Sequence, residues 1–191
     1  FRIPYKQMPL DENFRLKIDD YKGENGGIVF PNPNAPTGIY ESLDHVEEII
    51  KNNPDVIVIV DEAYIDFGGE TALPLIDKYD NLVVVRTFSK SRSMAGLRIG
   101  YAISNPELIK ALNDVKYSYN SYTMNRPSLV LGVESIHDDA YFREKVGQII
   151  ATRERFVKEI AELGFTCLPS SANFVFATHE SIPAKEIFAA A

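Results

Sequence analysis

The chain of 191 residues has one cysteine, Cys167, so no disulfide can form within it. That fits a reducing compartment, and cytoplasmic residence is the expectation. Long apolar runs are missing as well. The longest purely aliphatic stretch is "VIVIV", residues 56–60, far too short to cross a bilayer. The opening residues do not read as a signal peptide. Positive charge is in deficit: 20 Lys and Arg stand against 27 Asp and Glu, for a net charge of −7 and a pI near 5.0. That balance argues against a nucleic-acid or anionic-membrane surface. The three histidines, His45, His137 and His179, are scattered, with no carboxylate or cysteine at metal-ligand spacing, so no metal is expected. No G-x-G-x-x-G follows a strand and no G-x-x-x-x-G-K-[ST] occurs, which speaks against a nucleotide-binding doubly wound domain. There is no internal repeat and no low-complexity stretch.

What is present is an ordinary globular composition, 45% hydrophobic and 25% charged. The length suits one domain and the start of another. Four short apolar runs read as strands: "GIVF" at 27–30, "VIVIV" at 56–60, "NLVVV" at 81–85 and "RIGYAI" at 98–103. The last three lack polar alternation, which predicts burial on both faces. Helices are expected between and after them. Ser42 opens one, with Leu43, Val46, Ile49 and Ile50 on a stripe. Asn105 caps another with Pro106 at its first position and Leu108, Ala111, Leu112 and Val115 on one face. Residues 127–136 read as a buried helix. A long amphipathic helix runs from about Asp138 to Leu163 and stops at Gly164, its charges forming a solvated face. The expected fold is α/β, a mostly parallel sheet flanked by helices. Residues 1–164 would be the central part of the main domain and 165–191, with strands "FTCLP" and "NFVFAT", the beginning of a small α+β domain. Phe1 and the closing "FAAA" look cut, which raises the expectation of a longer protein.

In open α/β sheets, ligands gather at the carboxyl ends of strands. Three motifs occupy such positions here: "PNPNAPTG", "DEAY" and "TFSK". Lys90 follows an apolar strand and is boxed in by Thr87, Ser89, Ser91 and Ser93. A lysine becomes a covalent nucleophile toward an aldehyde when its site favours the free amine, as with pyridoxal phosphate. That cofactor needs an acid for its ring nitrogen and anchors for its phosphate. Asp61 supplies the first. Thr87 and Ser89 offer hydroxyls, and Arg98 a planar fork, for the second. Tyr64 can reach the phenolic oxygen. Taken singly, each has a plain alternative: Asp61 a cap, Lys90 a solvated loop residue, Tyr64 an aromatic packing residue.

Together, "NPNAPTG", "DEAYIDF" and "TFSKSRSMAGLRIGYAI" resemble the successive motifs of the fold-type I, class I/II pyridoxal-phosphate aminotransferases, most of all the histidinol-phosphate aminotransferase branch. The resemblance implies that Lys90 carries the cofactor and moves protons. It implies that Asp61 pairs with the pyridine nitrogen and Tyr64 with the phenolic oxygen, and that Thr87, Ser89 and Arg98 hold the phosphate. It also implies a homodimer, and a reversible amino transfer between glutamate/2-oxoglutarate and histidinol phosphate/imidazole acetol phosphate. One position departs from the pattern. The family usually has asparagine directly before "PTG"; here that residue is Ala35, and Asn34 precedes it. Either Asn34 reaches in from its shifted place or Tyr64 acts alone. The peptide before Pro36 is a candidate cis bond. The family also implies a glycine-rich phosphate loop, a stacking aromatic and a substrate-binding arginine, none of which is visible in these 191 residues. An aromatic-amino-acid aminotransferase, a phosphothreonine-type decarboxylase and a non-catalytic scaffold of aminotransferase descent are the open alternatives.

Overall fold

The computed structural model describes residues 2–191. Its centre is a four-stranded sheet: β1 (Ile28–Pro31), β2 (Val58–Asp61), β3 (Leu82–Thr87) and β4 (Gly100–Ile103), in that spatial order. The first three strands are parallel, with Pro31 opposite Asp61 and Asp61 opposite Val85. β4 runs antiparallel to β3 and sets Gly100 opposite Thr87. The expected α/β architecture is therefore present, with one antiparallel strand at the edge.

α1 (Leu43–Lys51) covers one face of the sheet. Ser42 caps it by accepting from the His45 N–H. The stripe Val46, Ile49 and Ile50 is fully buried and meets Phe30, Val58, Val60, Leu82 and Val84. This is the core, and it forms because every second strand residue points to the α1 side. The other face is less complete. Val29 is 68% exposed and Ile59 only half-buried, so burial of β2 on both faces is not what the structure has. The same correction applies to β4, where Gly100 and Tyr101 are exposed. Among the described residues nothing pairs with its outer edge.

The helices follow the expected order with different burial. α2 (Pro106–Tyr119) is capped by Asn105, yet Leu112 and Val115 are exposed. α3 (Arg126–His137) was expected to be buried; only Ser128 and Gly132 are, while Leu129, Val130, Leu131, Val133 and Ile136 are exposed. Its apolar composition asks for a cover that no described residue supplies. α4 (Asp139–Ala161) is the long helix. It ends just before Gly164, whose φ of +88° lies in the left-handed region that suits glycine. β5 (Phe165–Cys167) and β6 (Ala177–His179) form a separate antiparallel pair, and α5 (Ala184–Ala190) follows. No helix among the described residues is long and apolar enough to cross a membrane.

Candidate active site

The parallel register puts the carboxyl ends of β1, β2 and β3 on one edge of the sheet. The loop after β1 leaves through two cis peptides, Asn32–Pro33 and Ala35–Pro36. Asn34 lies at the turn that follows. Its backbone pairs with Ile39 and Gly38, and its side-chain amide donates to Thr37 Oγ1 at 2.7 Å. The Asn34 amide is thus committed inward, to the turn itself. Gly38 sits at φ +78°, and a Cβ there would come within 2.5 Å of Ser170 Oγ, so only glycine fits.

Asp61 closes β2. One carboxylate oxygen accepts the Ala63 N–H at 3.0 Å, which bends the chain out of the strand. Tyr64 lies just beyond that bend. Beyond β3, the Thr87 hydroxyl donates to Ile99 O at 3.3 Å and accepts the Ser89 N–H at 3.0 Å. The turn it builds delivers Lys90, whose Nζ lies 5.2 Å from the centre of the Tyr64 ring. Both residues are half-buried. The two loops are braced together one residue further on, where Ser91 Oγ donates to the Asp66 carboxylate. Arg98 follows at the next turn. It caps the turn Ala95–Leu97 in a left-handed conformation, is exposed, and donates back to Ala95 O at 3.0 Å. Its neighbour Ile99 nevertheless bonds the Thr87 hydroxyl and the Phe88 N–H.

Several residues that hold this arrangement were not singled out from sequence. Glu62 is 3% exposed and receives Arg86 Nε and Nη2 at 3.0 and 2.8 Å, Thr71 Oγ1 at 2.8 Å and the Ala72 N–H at 2.6 Å. Burial works against the charge on Arg86, but the Glu62 hydrogen bonds and charge outweigh it and hold the guanidinium pKa above its ordinary value. A signal existed: two acids in succession after an aliphatic strand must face opposite sides, and the arginine of the neighbouring strand is in register with the second. Arg92 is the second case. Its guanidinium stacks 4.1 Å from the Phe142 ring centre and donates to Ser135 O, fastening the lysine loop to α3 and α4. Arg153, assigned to the solvated face of α4, instead donates to Phe67 O and Ala172 O. Burial lowers its pKa. A cleft of about 860 Å³ opens beside the lysine loop, with Ser91, Arg92, Phe142, Arg153 and Phe174 among its walls.

The model of the family "Aminotransferase class I and II" matches residues 2–190. The chain belongs to the class I and II aminotransferases. Among curated relatives, a histidinol-phosphate aminotransferase from Lactococcus lactis is 53% identical over 98% of the chain and 53% of its own length. Among solved structures, the histidinol-phosphate aminotransferase of Clostridium acetobutylicum superposes with a TM-score of 0.85 at 27% identity, over 94% of this chain and 56% of that one. The Sinorhizobium meliloti histidinol-phosphate aminotransferase, solved in complex with pyridoxal-5'-phosphate, gives 0.81 at 26% identity, over 92% and 49%. The chain spans about half the length of the curated relatives it matches.

Proposed function

We propose that this chain carries the lysine centre of a pyridoxal-phosphate-dependent aminotransferase acting on histidinol phosphate. The observation that carries the reading is the approach of Lys90 Nζ, in the loop after β3, to the Tyr64 ring, in the loop after β2, at 5.2 Å. The donor set suits the cofactor group by group: an amine for the aldehyde, a carboxylate for the ring nitrogen, a phenol for the phenolic oxygen, hydroxyls and a guanidinium for the phosphate. When bound, pyridoxal phosphate supplies an electron sink that makes the α-hydrogen of an amino acid acidic. Lys90 would hold the cofactor at its aldehyde, and its Nζ would be the group that takes and returns the proton at the substrate α-carbon. Asp61 would hold the proton on the ring nitrogen, Tyr64 Oη would donate to the phenolic oxygen, and Thr87, Ser89 and Arg98 would orient the phosphate. Arg98 must swing from Ala95 O to do so, a small cost for an exposed side chain. Asn34 acts through Thr37 and the shape of the turn.

Relatives about half-identical over nearly the whole chain bear the histidinol-phosphate name, and this supports the substrate: glutamate as amino donor and imidazole acetol phosphate as acceptor, within histidine biosynthesis. The same reading includes a cytoplasmic homodimer, and residues 165–191 as the start of a second domain. The test is a steady-state assay of the natural-length protein with histidinol phosphate, aromatic amino acids and phosphothreonine as competing substrates. A clear preference in kcat/KM for histidinol phosphate is expected. Preference for an aromatic amino acid, or decarboxylation of phosphothreonine, would refute the assignment.

A further inference from the structure

We infer that Phe174 is a positioning residue for Tyr64, so that the segment returning from α4 sets the ring that faces Lys90. The inference rests on the reading of Lys90 and Tyr64 as cofactor residues.

The segment 170–174 is wedged between two strand-end loops. Ser171 N–H donates to Gly38 O at 2.7 Å, on the loop after β1. A Cβ on Gly38 would strike Ser170, and one on Gly68 would lie 3.1 Å from the Ser171 Cβ, so two glycines make room for two serines. Ala172 is fully buried. Arg153 of α4 ties the wedge to the loop after β2 by donating to both Ala172 O (2.6 Å) and Phe67 O (3.1 Å). Ser170 Oγ closes the segment on itself, donating to Phe174 O at 2.6 Å and accepting the Ala172 N–H at 3.1 Å.

These bonds fix the backbone on which Phe174 stands. Its ring meets Tyr64 edge-to-face, 5.1 Å between centroids and 86° between planes. Edge-to-face contact is directional, so it selects one orientation of the Tyr64 ring rather than only filling space. Packed against Phe174, with Lys90 Nζ over the same ring, the Tyr64 side chain keeps one position, and that position places its hydroxyl. Without Phe174, Tyr64 would have to be ordered by the cofactor itself, at a loss of affinity.

The experiment uses the natural-length protein loaded with pyridoxal phosphate. Cofactor Kd and the visible circular dichroism of the bound cofactor are measured for wild type, Tyr64→Phe, Phe174→Leu, Phe174→Tyr and the Tyr64→Phe/Phe174→Leu double variant. Phe174→Leu is expected to raise Kd roughly two- to tenfold, the range of one aromatic pair, and to weaken the dichroic band. Phe174→Tyr, which keeps the ring, should stay near wild type. In the Tyr64→Phe background, Phe174→Leu should change the band little, because the hydroxyl it aims is gone. If Phe174→Leu does not fold, Phe174→Met answers the same question. Wild-type Kd and dichroism in the leucine variant, or full additivity in the double variant, would overturn the inference while leaving the cofactor reading intact. A wild-type protein with no visible band would instead overturn both.

Discussion

Replacing Glu62 by leucine should destabilise the protein by about 3–5 kcal/mol, the usual cost of leaving one half of a buried ion pair behind. The structure supplies the components. The substitution takes the carboxylate acceptor from the Arg86 guanidinium, the Thr71 hydroxyl and the Ala72 N–H, and leaves Arg86 its bond to Thr71 Oγ1 at 2.8 Å. Each stranded buried group costs roughly 1–3 kcal/mol. Arg86 keeps a 17% exposed side chain, so water recovers part of its loss and the sum stays below the upper limit. A second substitution sharpens the test. Glu62→Leu/Arg86→Met removes both charges, and its cost should fall short of the sum of the two single costs by about 2 kcal/mol or more. Urea unfolding followed by far-ultraviolet circular dichroism gives both numbers, with an unchanged slope as the check that only stability moved. A loss under about 1 kcal/mol for the single variant, or additivity in the double one, would refute the reasoning. The pH dependence has a defined sign. The folded pKa of Arg86 is raised, so its contribution is complete below the unfolded pKa and is lost only as pH rises through the folded value, in strong alkali. The pair should therefore be insensitive to pH between about 6 and 9.

Gly38→Ala should cost upward of about 2 kcal/mol, since a left-handed backbone and a clash with Ser170 add together; a thermal melt of the variant checks it, and suppression of the loss by Ser170→Gly would identify the clash. Asn34→Ala should remove one hydrogen bond and lower cofactor affinity by a factor corresponding to about 1 kcal/mol, measured by cofactor titration; a complete loss of binding would mean that Asn34 touches the cofactor directly. Glu47 is held below the usual carboxylate range by a hydrogen bond from Tyr79, with Lys51 assisting. Its stabilisation is present above the unfolded pKa and disappears as pH falls through the folded one. Glu47→Gln should therefore flatten the acid limb of a stability-versus-pH curve, and an unchanged limb would count against the bond.

How much was readable beforehand follows from distance along the chain. The strands, the caps at Ser42 and Asn105, and the stop at Gly164 are local, and propensity and period specify them. The alignment of Asp61, Thr87 and Lys90 was also legible, because parallel strands end on one side. What failed was burial. An apolar run says that a residue wants cover, not that the described chain provides it, and α3 and β4 show the difference. Glu62 could have been recognised from two consecutive acids that must face opposite ways. Phe174 and Arg153 could not, since their contacts depend on α4 and the segment after it crossing back over loops far earlier in the chain, Arg153 onto Phe67 across 86 residues and Phe174 onto Tyr64 across still more. The departure at Ala35 was visible in sequence, but only the turn geometry shows the Asn34 amide spent on Thr37.

The account turns on one lysine. The natural-length protein should be incubated with pyridoxal phosphate, reduced with borohydride, digested and mapped by mass. Cofactor mass on the peptide containing Lys90, and on no other lysine peptide, is the predicted result. A folded protein that leaves Lys90 unlabelled would contradict the account and leave the three strand-end motifs as scaffold.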